Sequence, residues 1–227
     1  MKVVGTTLYG SQNYLLSTSE SDRDYKVVVT PNFDELYMKK DLNGSGLPAE
    51  YTDTEHYSCM DIRTFAANLA KGNPNAIEML FSTEIHGDES FLQLLEAWRE
   101  PYFDGYVASR WDYFTKAIDG IIYNSFKRFG ITPKTASRAL YFIKLTDYIA
   151  DNNFKIDNSV LRAPEVYTTP RAIRLEQRPF DTTTVDGISV YRIAYINAAN
   201  SAETPDTFGF NPDVFITPTK EFVRRNM

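Results

Sequence analysis

Two carboxylates separated by one residue lie in a β-prone stretch near the start of this 227-residue chain, where residues 22–29 read Asp-Arg-Asp-Tyr-Lys-Val-Val-Val. Side chains alternate between the two faces of a strand, so Asp22 and Asp24 are expected on the same face. Two carboxylates this close repel each other unless a cation lies between them, and oxygen ligands suit Mg²⁺ or Mn²⁺. The spacing therefore predicts a divalent-metal site with Asp22 and Asp24 as ligands.

A glycine and a serine, Gly10 and Ser11, follow the β-prone opening stretch 3–9. Glycine lets the backbone come close to a ligand, and Ser11 with the following amides can hold a phosphate at the start of a helix. Lys26 shares the predicted face of the two aspartates, where it either meets a triphosphate, balances the carboxylates or faces solvent. A phosphate site beside a metal-binding carboxylate pair suits phosphoryl or nucleotidyl transfer.

The Gly10-Ser11 … Asp22-x-Asp24 pattern resembles the nucleotidyltransferase superfamily typified by DNA polymerase beta. A later run is similar to one branch, the predicted nucleotidyltransferases of bacteria and phages, some of which lie beside RNA-repair genes; it reads Phe65 … Lys71-Gly72-Asn73-Pro74-Asn75 … Glu78-Met79-Leu80-Phe81. The resemblance covers residues 3–85 and continues more weakly through 107–152. It implies that a nucleoside monophosphate moves from a nucleoside triphosphate such as ATP to a hydroxyl of an RNA end, a protein or a small molecule, with release of pyrophosphate.

Relatives carry a third acidic residue on the third strand, which we predict here over Thr52–Met60. The register of the resemblance places His56 at that position and Glu55 on the opposite face, and a one-residue slip or a bulge would bring Glu55 inward. Asp61 is expected to cap the helix that follows. We expect Glu55 as the third catalytic group, with His56 or no residue as the alternatives.

Two basic residues of the second half, Lys134 and Arg138, are four apart and share one face of a helix predicted over 133–152. Relatives carry a basic residue and an arginine in a comparable helix, so the resemblance implies contact with the triphosphate or the acceptor. The alternative is a solvated helix face. Residues 105–144 hold seven basic and two acidic side chains in a chain of net charge −6.

The bulk composition narrows the class of protein. The chain is 43% apolar and 24% charged, with no run long enough to cross a membrane. One cysteine and two histidines exclude a disulfide framework and argue against a structural zinc site. The negative net charge argues against a protein that coats nucleic acid. We therefore expect a cytoplasmic protein, in the host cytoplasm if a phage encodes it.

The order of elements predicts an α/β protein in two halves. Residues 1–104 are expected to form a nucleotidyltransferase core, a small mixed sheet with helices packed on it. Residues 105–227 are expected to be mainly helical, irregular near Pro164 and Pro170, with a short β element in which Val214–Thr217 pairs with the strand Ile188–Ile196. The active site is expected in the cleft between the halves. A catalytically inactive module that binds a nucleotide or a partner is the alternative function.

One acidic side chain interrupts an apolar run, because Glu78 lies among Ala76, Ile77, Met79, Leu80 and Phe81. A buried carboxylate needs a partner. We favour a structural salt bridge or cap for Glu78 over a catalytic role.

Overall fold

A computed structural model describes residues 1–44, 55–176 and 211–226 as a mixed α/β protein. These residues form two compact units. The first contains residues 1–13, 22–44, 55–101 and 211–226, and the second contains 14–21 and 102–176. The division after residue 101 lies close to the predicted one after 104. Residues 14–21, however, belong to the second unit and residues 211–226 to the first, the reverse of the predicted assignment.

The first unit is built on a four-stranded mixed sheet in the order β3-β2-β1-β4. Strand β1 is antiparallel to β2 and to β4, and β2 is parallel to β3. The predicted third strand is present from His56 onward, and the start predicted for it at 52–54 lies outside the described residues. The strands are β1 (Lys2–Tyr9), β2 (Asp24–Thr30), β3 (His56–Asp61) and β4 (Ile85–Gly87).

Eight α-helices occur in the described parts of the chain, and two 3₁₀ segments, Tyr106–Arg110 and Val160–Arg162, lie between them. The α-helices are α1 (Phe33–Tyr37), α2 (Ile62–Ala70), α3 (Pro74–Leu80), α4 (Glu89–Phe103), α5 (Trp111–Phe129), α6 (Pro133–Asp151), α7 (Pro164–Arg174) and α8 (Asp213–Asn226).

Local signals at the starts of α2 and α3 are confirmed. The side chain of Asp61 accepts a hydrogen bond from the backbone N–H of Arg63 and so caps α2. The side chain of Asn73 caps α3 in the same way, and Pro74 occupies the first helical position, where its missing N–H has no cost. These caps fix the residue at which each helix begins.

Two segments predicted to lack a helix are helical instead. Helix α7 begins at Pro164, whose fixed φ suits the first turn, so the prolines near 164 and 170 do not make this stretch irregular. Val214–Thr217, predicted as a strand, belongs to α8, whose buried residues recur at helical spacing and are Phe215, Thr219, Phe222 and Val223. The predicted strand Ile188–Ile196 lies outside the described residues.

In the second unit α6 packs against α5 and α7. The hydroxyl of Tyr141 on α6 donates to the backbone oxygen of Leu161 at 2.9 Å, so a buried polar atom of this unit is paired. None of the helices in the described ranges is long and apolar enough to span a membrane.

Candidate functional site

The register of three neighbouring strands brings the predicted site residues of the first unit to one end of the sheet. Tyr9, the last residue of β1, is paired with Asp24, and Asp24 is paired with His56 on β3. The Nδ1 atom of His56 lies 3.3 Å from Oδ1 of Asp24 and 3.9 Å from Oδ2 of Asp22. Both predicted aspartates therefore lie beside a histidine.

The turn after β1 comes close to the same carboxylate. Gly10 has a φ of +82°, in the left-handed region that favours glycine. A Cβ atom built on Gly10 would lie 3.1 Å from Oδ2 of Asp24, tighter than most contacts of this kind. The glycine thus permits both the turn and its close approach to Asp24.

A buried glutamate supports this turn. Glu78 on α3 is 2% exposed, and its Oε1 atom accepts a hydrogen bond from the backbone N–H of Gly10. The side-chain amide of Asn13 donates to the backbone oxygen of Glu78 at 3.1 Å and accepts from the backbone N–H of Thr83 at 3.0 Å. These contacts join Glu78 to the backbone of the glycine turn, and the structural salt bridge or cap favoured from the sequence stays a prediction. One consequence is that the Gly10 N–H is already engaged.

The segment after Gly10, expected as either a short helix or a loop, is not helical. Residues 11–15 form turns, and the backbone N–H of Asn13 donates to the oxygen of Gly10 at 3.0 Å. A helix N-terminus is therefore absent at 11–15, and a phosphate-binding role for Ser11 depends on its hydroxyl and on the amides of the turn.

Lys26 lies on the face that carries Asp24, as the alternation predicts. Its ammonium group donates to Oγ of Ser58 at 2.7 Å and lies 4.9 Å from the ring centroid of Tyr9. Burial lowers the pKa of Lys26, and the negative charges of Asp24 and Glu78 oppose that shift. The site thus includes a partly desolvated cation beside its carboxylates.

Glu55 does not lie with the aspartates. Its Oε2 atom accepts a hydrogen bond from the Tyr57 hydroxyl at 2.7 Å, and its Oε1 atom lies 3.6 Å from Nε of Arg23. Asp24 pairs directly with His56 without a slip, so the neighbouring residue Glu55 points to the opposite face. The structure therefore brings His56 to the aspartate pair in place of the expected Glu55.

The face opposite the aspartates has a polar cluster of its own. The rings of Tyr25 and Tyr57 stack with centroids 5.2 Å apart, and the hydroxyl of Tyr25 donates to Oε1 of Glu84 at 2.7 Å. This hydrogen bond lowers the pKa of Glu84, while burial raises the pKa of Tyr25. The Arg23 guanidinium also contacts Glu84, so this cluster is internally paired.

Asp61 is engaged elsewhere and does not supply a third acid. Its Oδ1 atom accepts from the backbone N–H of Arg63 and from Nε of the same residue, each at 2.9 Å. The carboxylate is buried and paired with this guanidinium.

The two basic residues predicted on the second half lie in the first two turns of α6, in the second unit. Lys134 is exposed. Arg138 is partly buried, with its guanidinium carbon 5.6 Å from the ring centroid of Phe142 and no hydrogen-bond partner for its Nε atom among the described residues. Their contact with a nucleotide stays a prediction.

The chemistry of the donor set at the aspartates suits a divalent ion. Within the described ranges, no three His, Cys, Asp or Glu side chains are arranged to hold a metal ion as they stand. Two ligands that bind one ion at about 2.1 Å and at right angles lie about 3 Å apart, so the separation of His56 and Asp24 is suitable. Asp22 is 66% exposed and has room to turn toward them. Asp22, Asp24 and His56 are therefore the described residues that could hold a metal ion here, provided that the exposed Asp22 side chain turns toward the other two.

Comparisons with known proteins assign no family. A scan against protein-family models finds no match to this chain, and a search of curated proteins finds no significant match. The nucleotidyltransferase resemblance consequently stays a prediction from the motifs.

Proposed function

We propose that this protein is a divalent-metal-dependent nucleotidyltransferase that moves a nucleoside monophosphate from a nucleoside triphosphate to a hydroxyl acceptor. The observation that carries the proposal is the strand register that aligns Tyr9, Asp24 and His56 and brings the Gly10 turn against the Asp24 carboxylate. A glycine turn and a carboxylate pair on adjacent strands suit a triphosphate with its counter-ion.

The proposed reaction joins the acceptor oxygen to the α-phosphorus while the bond between that phosphorus and the bridging oxygen of the β-phosphate breaks. Pyrophosphate leaves with the electron pair of that bond, and the acceptor hydroxyl gives up its proton to the solvent. Mg²⁺ or Mn²⁺, when bound, would neutralise phosphate charge and favour ionisation of the attacking hydroxyl. Asp22 and Asp24 would hold the ion, and Lys26 would add positive charge beside the phosphates.

We assign His56 the position in which a third carboxylate was expected. Its Nδ1 atom faces both aspartates, and a neutral imidazole can bind a metal ion or accept a proton. We expect His56→Ala to abolish transfer and Glu55→Gln to leave it within a factor of about three, because Glu55 contacts Arg23 and Tyr57 on the other face. Equal losses in the two variants would refute this assignment.

The test is incubation with each α-labelled nucleoside triphosphate, Mg²⁺ or Mn²⁺ and a mixture of cellular RNA and protein. An Asp22→Asn/Asp24→Asn double variant is the control. We expect label to move to RNA, protein or a small product with the wild-type chain alone, which also identifies the acceptor class. Transfer that survives in the double variant would refute the proposal.

A second candidate, a catalytically inactive nucleotide-binding module, is favoured by one observation: histidine lies where relatives carry an acid. It predicts that nucleoside triphosphate binds without release of pyrophosphate. Calorimetric binding combined with a pyrophosphate assay separates the two candidates.

A further inference from the structure

A groove of about 550 Å³ lies between α1, α2 and α8 of the first unit. Its volume falls within the range of about 300–1,000 Å³ that is usual for ligand sites. The lining combines aliphatic side chains with cationic and hydroxyl groups; its members are Leu36, Ala66, Ile216, Val223, Arg63, Thr219, Lys220 and Arg224.

The charge of this lining is opposite to that of the chain. The whole chain has a net charge of −6, whereas the described residues that line the groove include three basic side chains and no carboxylate. The Arg63 charge is balanced by the buried Asp61. Lys220 and Arg224 are four residues apart and therefore share one face of α8, where they present positive charge to an occupant.

Exposed apolar side chains extend from α1, the short helix that contributes Leu36 to the groove. Leu36 lines the groove, and its neighbours Phe33 and Tyr37 are 67% and 77% exposed, with nearly parallel rings whose centroids lie 6.5 Å apart. Met38, directly after the helix, is also exposed. Clustered exposed apolar side chains of this kind mark interaction surfaces.

We propose that this groove docks an amphipathic helix of a partner protein, with leucine-like residues on one face and acidic residues beside them. The aliphatic side chains that line the groove favour apolar side chains at helical spacing, because the exposed rings of Phe33 and Tyr37 are not part of that lining. Lys220 and Arg224 on α8 favour acidic residues beside the apolar face of the partner helix, by charge complementarity.

The docking surface is separate from the proposed catalytic site. Strand β2 runs from Asp24 to Thr30, about 20 Å at about 3.3 Å per residue, and α1 follows its far end. The proposal therefore does not depend on nucleotidyl transfer, and the two can fail independently.

The test uses a fluorescein-labelled acidic helical peptide of about 15 residues, or four turns, with leucines on one face and glutamates beside them. Its controls are a scrambled peptide and a peptide with lysine in place of glutamate. Fluorescence anisotropy with the full chain should show the acidic peptide bound at least about tenfold more tightly than either control. Lys220→Glu/Arg224→Glu should weaken that binding about tenfold and favour the lysine peptide. Lys127→Glu/Arg128→Glu, the same charge change on exposed residues of α5, should have no effect.

Three results would overturn the proposal. The acidic peptide binding no better than the scrambled peptide would do so, as would binding that is unchanged by the Lys220→Glu/Arg224→Glu pair. Self-association that this pair abolishes, seen by light scattering without peptide, would assign the groove to a second copy of the chain.

Discussion

The carboxylate of Glu78 offers the sharpest test of how the glycine turn is supported. Its Oε1 atom accepts the N–H of Gly10 from a position that is 2% exposed. In Glu78→Ala the Gly10 N–H loses its acceptor, which costs about 1–3 kcal/mol. In Glu78→Gln an amide oxygen still accepts, so the loss is that of charge assistance, about 1 kcal/mol.

Urea unfolding followed by circular dichroism measures both changes. The wild type should be the most stable, followed by Glu78→Gln and then Glu78→Ala. The slope of the unfolding free energy against urea concentration should be the same in all three. Glu100→Gln, an exposed glutamate on α4, is the matched control and should remain within about 0.5 kcal/mol of wild type.

A second readout connects the turn to the proposed site. If the turn forms part of a nucleotide site, Glu78→Gln should weaken binding of a nucleoside triphosphate in calorimetry while the chain remains folded. The reasoning is refuted if Glu78→Ala is as stable as the Glu100→Gln control, because the hydrogen bond to Gly10 would then contribute nothing.

Three further predictions concern the same sheet. Gly10→Ala should lower the free energy of unfolding by about 1–2 kcal/mol in urea, since alanine is disfavoured at positive φ and its Cβ would crowd Oδ2 of Asp24; an unchanged stability would contradict this. Tyr25→Phe should raise the pKa of Glu84, measured by carboxyl NMR. In the wild type, the lowered pKa of Glu84 stabilises the folded state. This contribution is fully present above the unfolded pKa of about 4.3 and is lost as the pH falls through the lower pKa of the folded state. The Tyr25→Phe variant should therefore lose less stability in acid. His56→Asp should shift calorimetric metal preference from Mn²⁺ toward Mg²⁺, because an oxygen ligand replaces a nitrogen ligand; an unchanged preference would place His56 outside the metal shell.

The sequence predicts those features of the fold that depend on neighbouring residues. The alternation in β2 placed Asp24 and Lys26 on one face, and Asp61 and Asn73 were recognised as helix caps. Each of these features depends on residues within a few positions along the chain. The mixed α/β class followed from the same signals.

Features that depend on distant partners were not predictable in the same way. The side-chain acceptor for the Gly10 N–H is 68 residues away on α3, and the sequence marked Glu78 only as an acidic residue in an apolar run. The choice between Glu55 and His56 depended on the register between β2 and β3, which a single sequence left open. Val214–Thr217 is β-prone by composition, yet it is helical because Phe215 and Thr219 are buried one turn apart.

The reaction class is tested most directly by comparing label positions in one nucleoside triphosphate. The proposed transfer breaks the bond between the α- and β-phosphates. With the acceptor present, α-label should therefore appear on the acceptor and γ-label should appear in pyrophosphate, and both signals should be lost in Asp24→Asn. Label from the γ position on the acceptor or in inorganic phosphate would contradict nucleotidyl transfer and assign the site to phosphoryl transfer or hydrolysis.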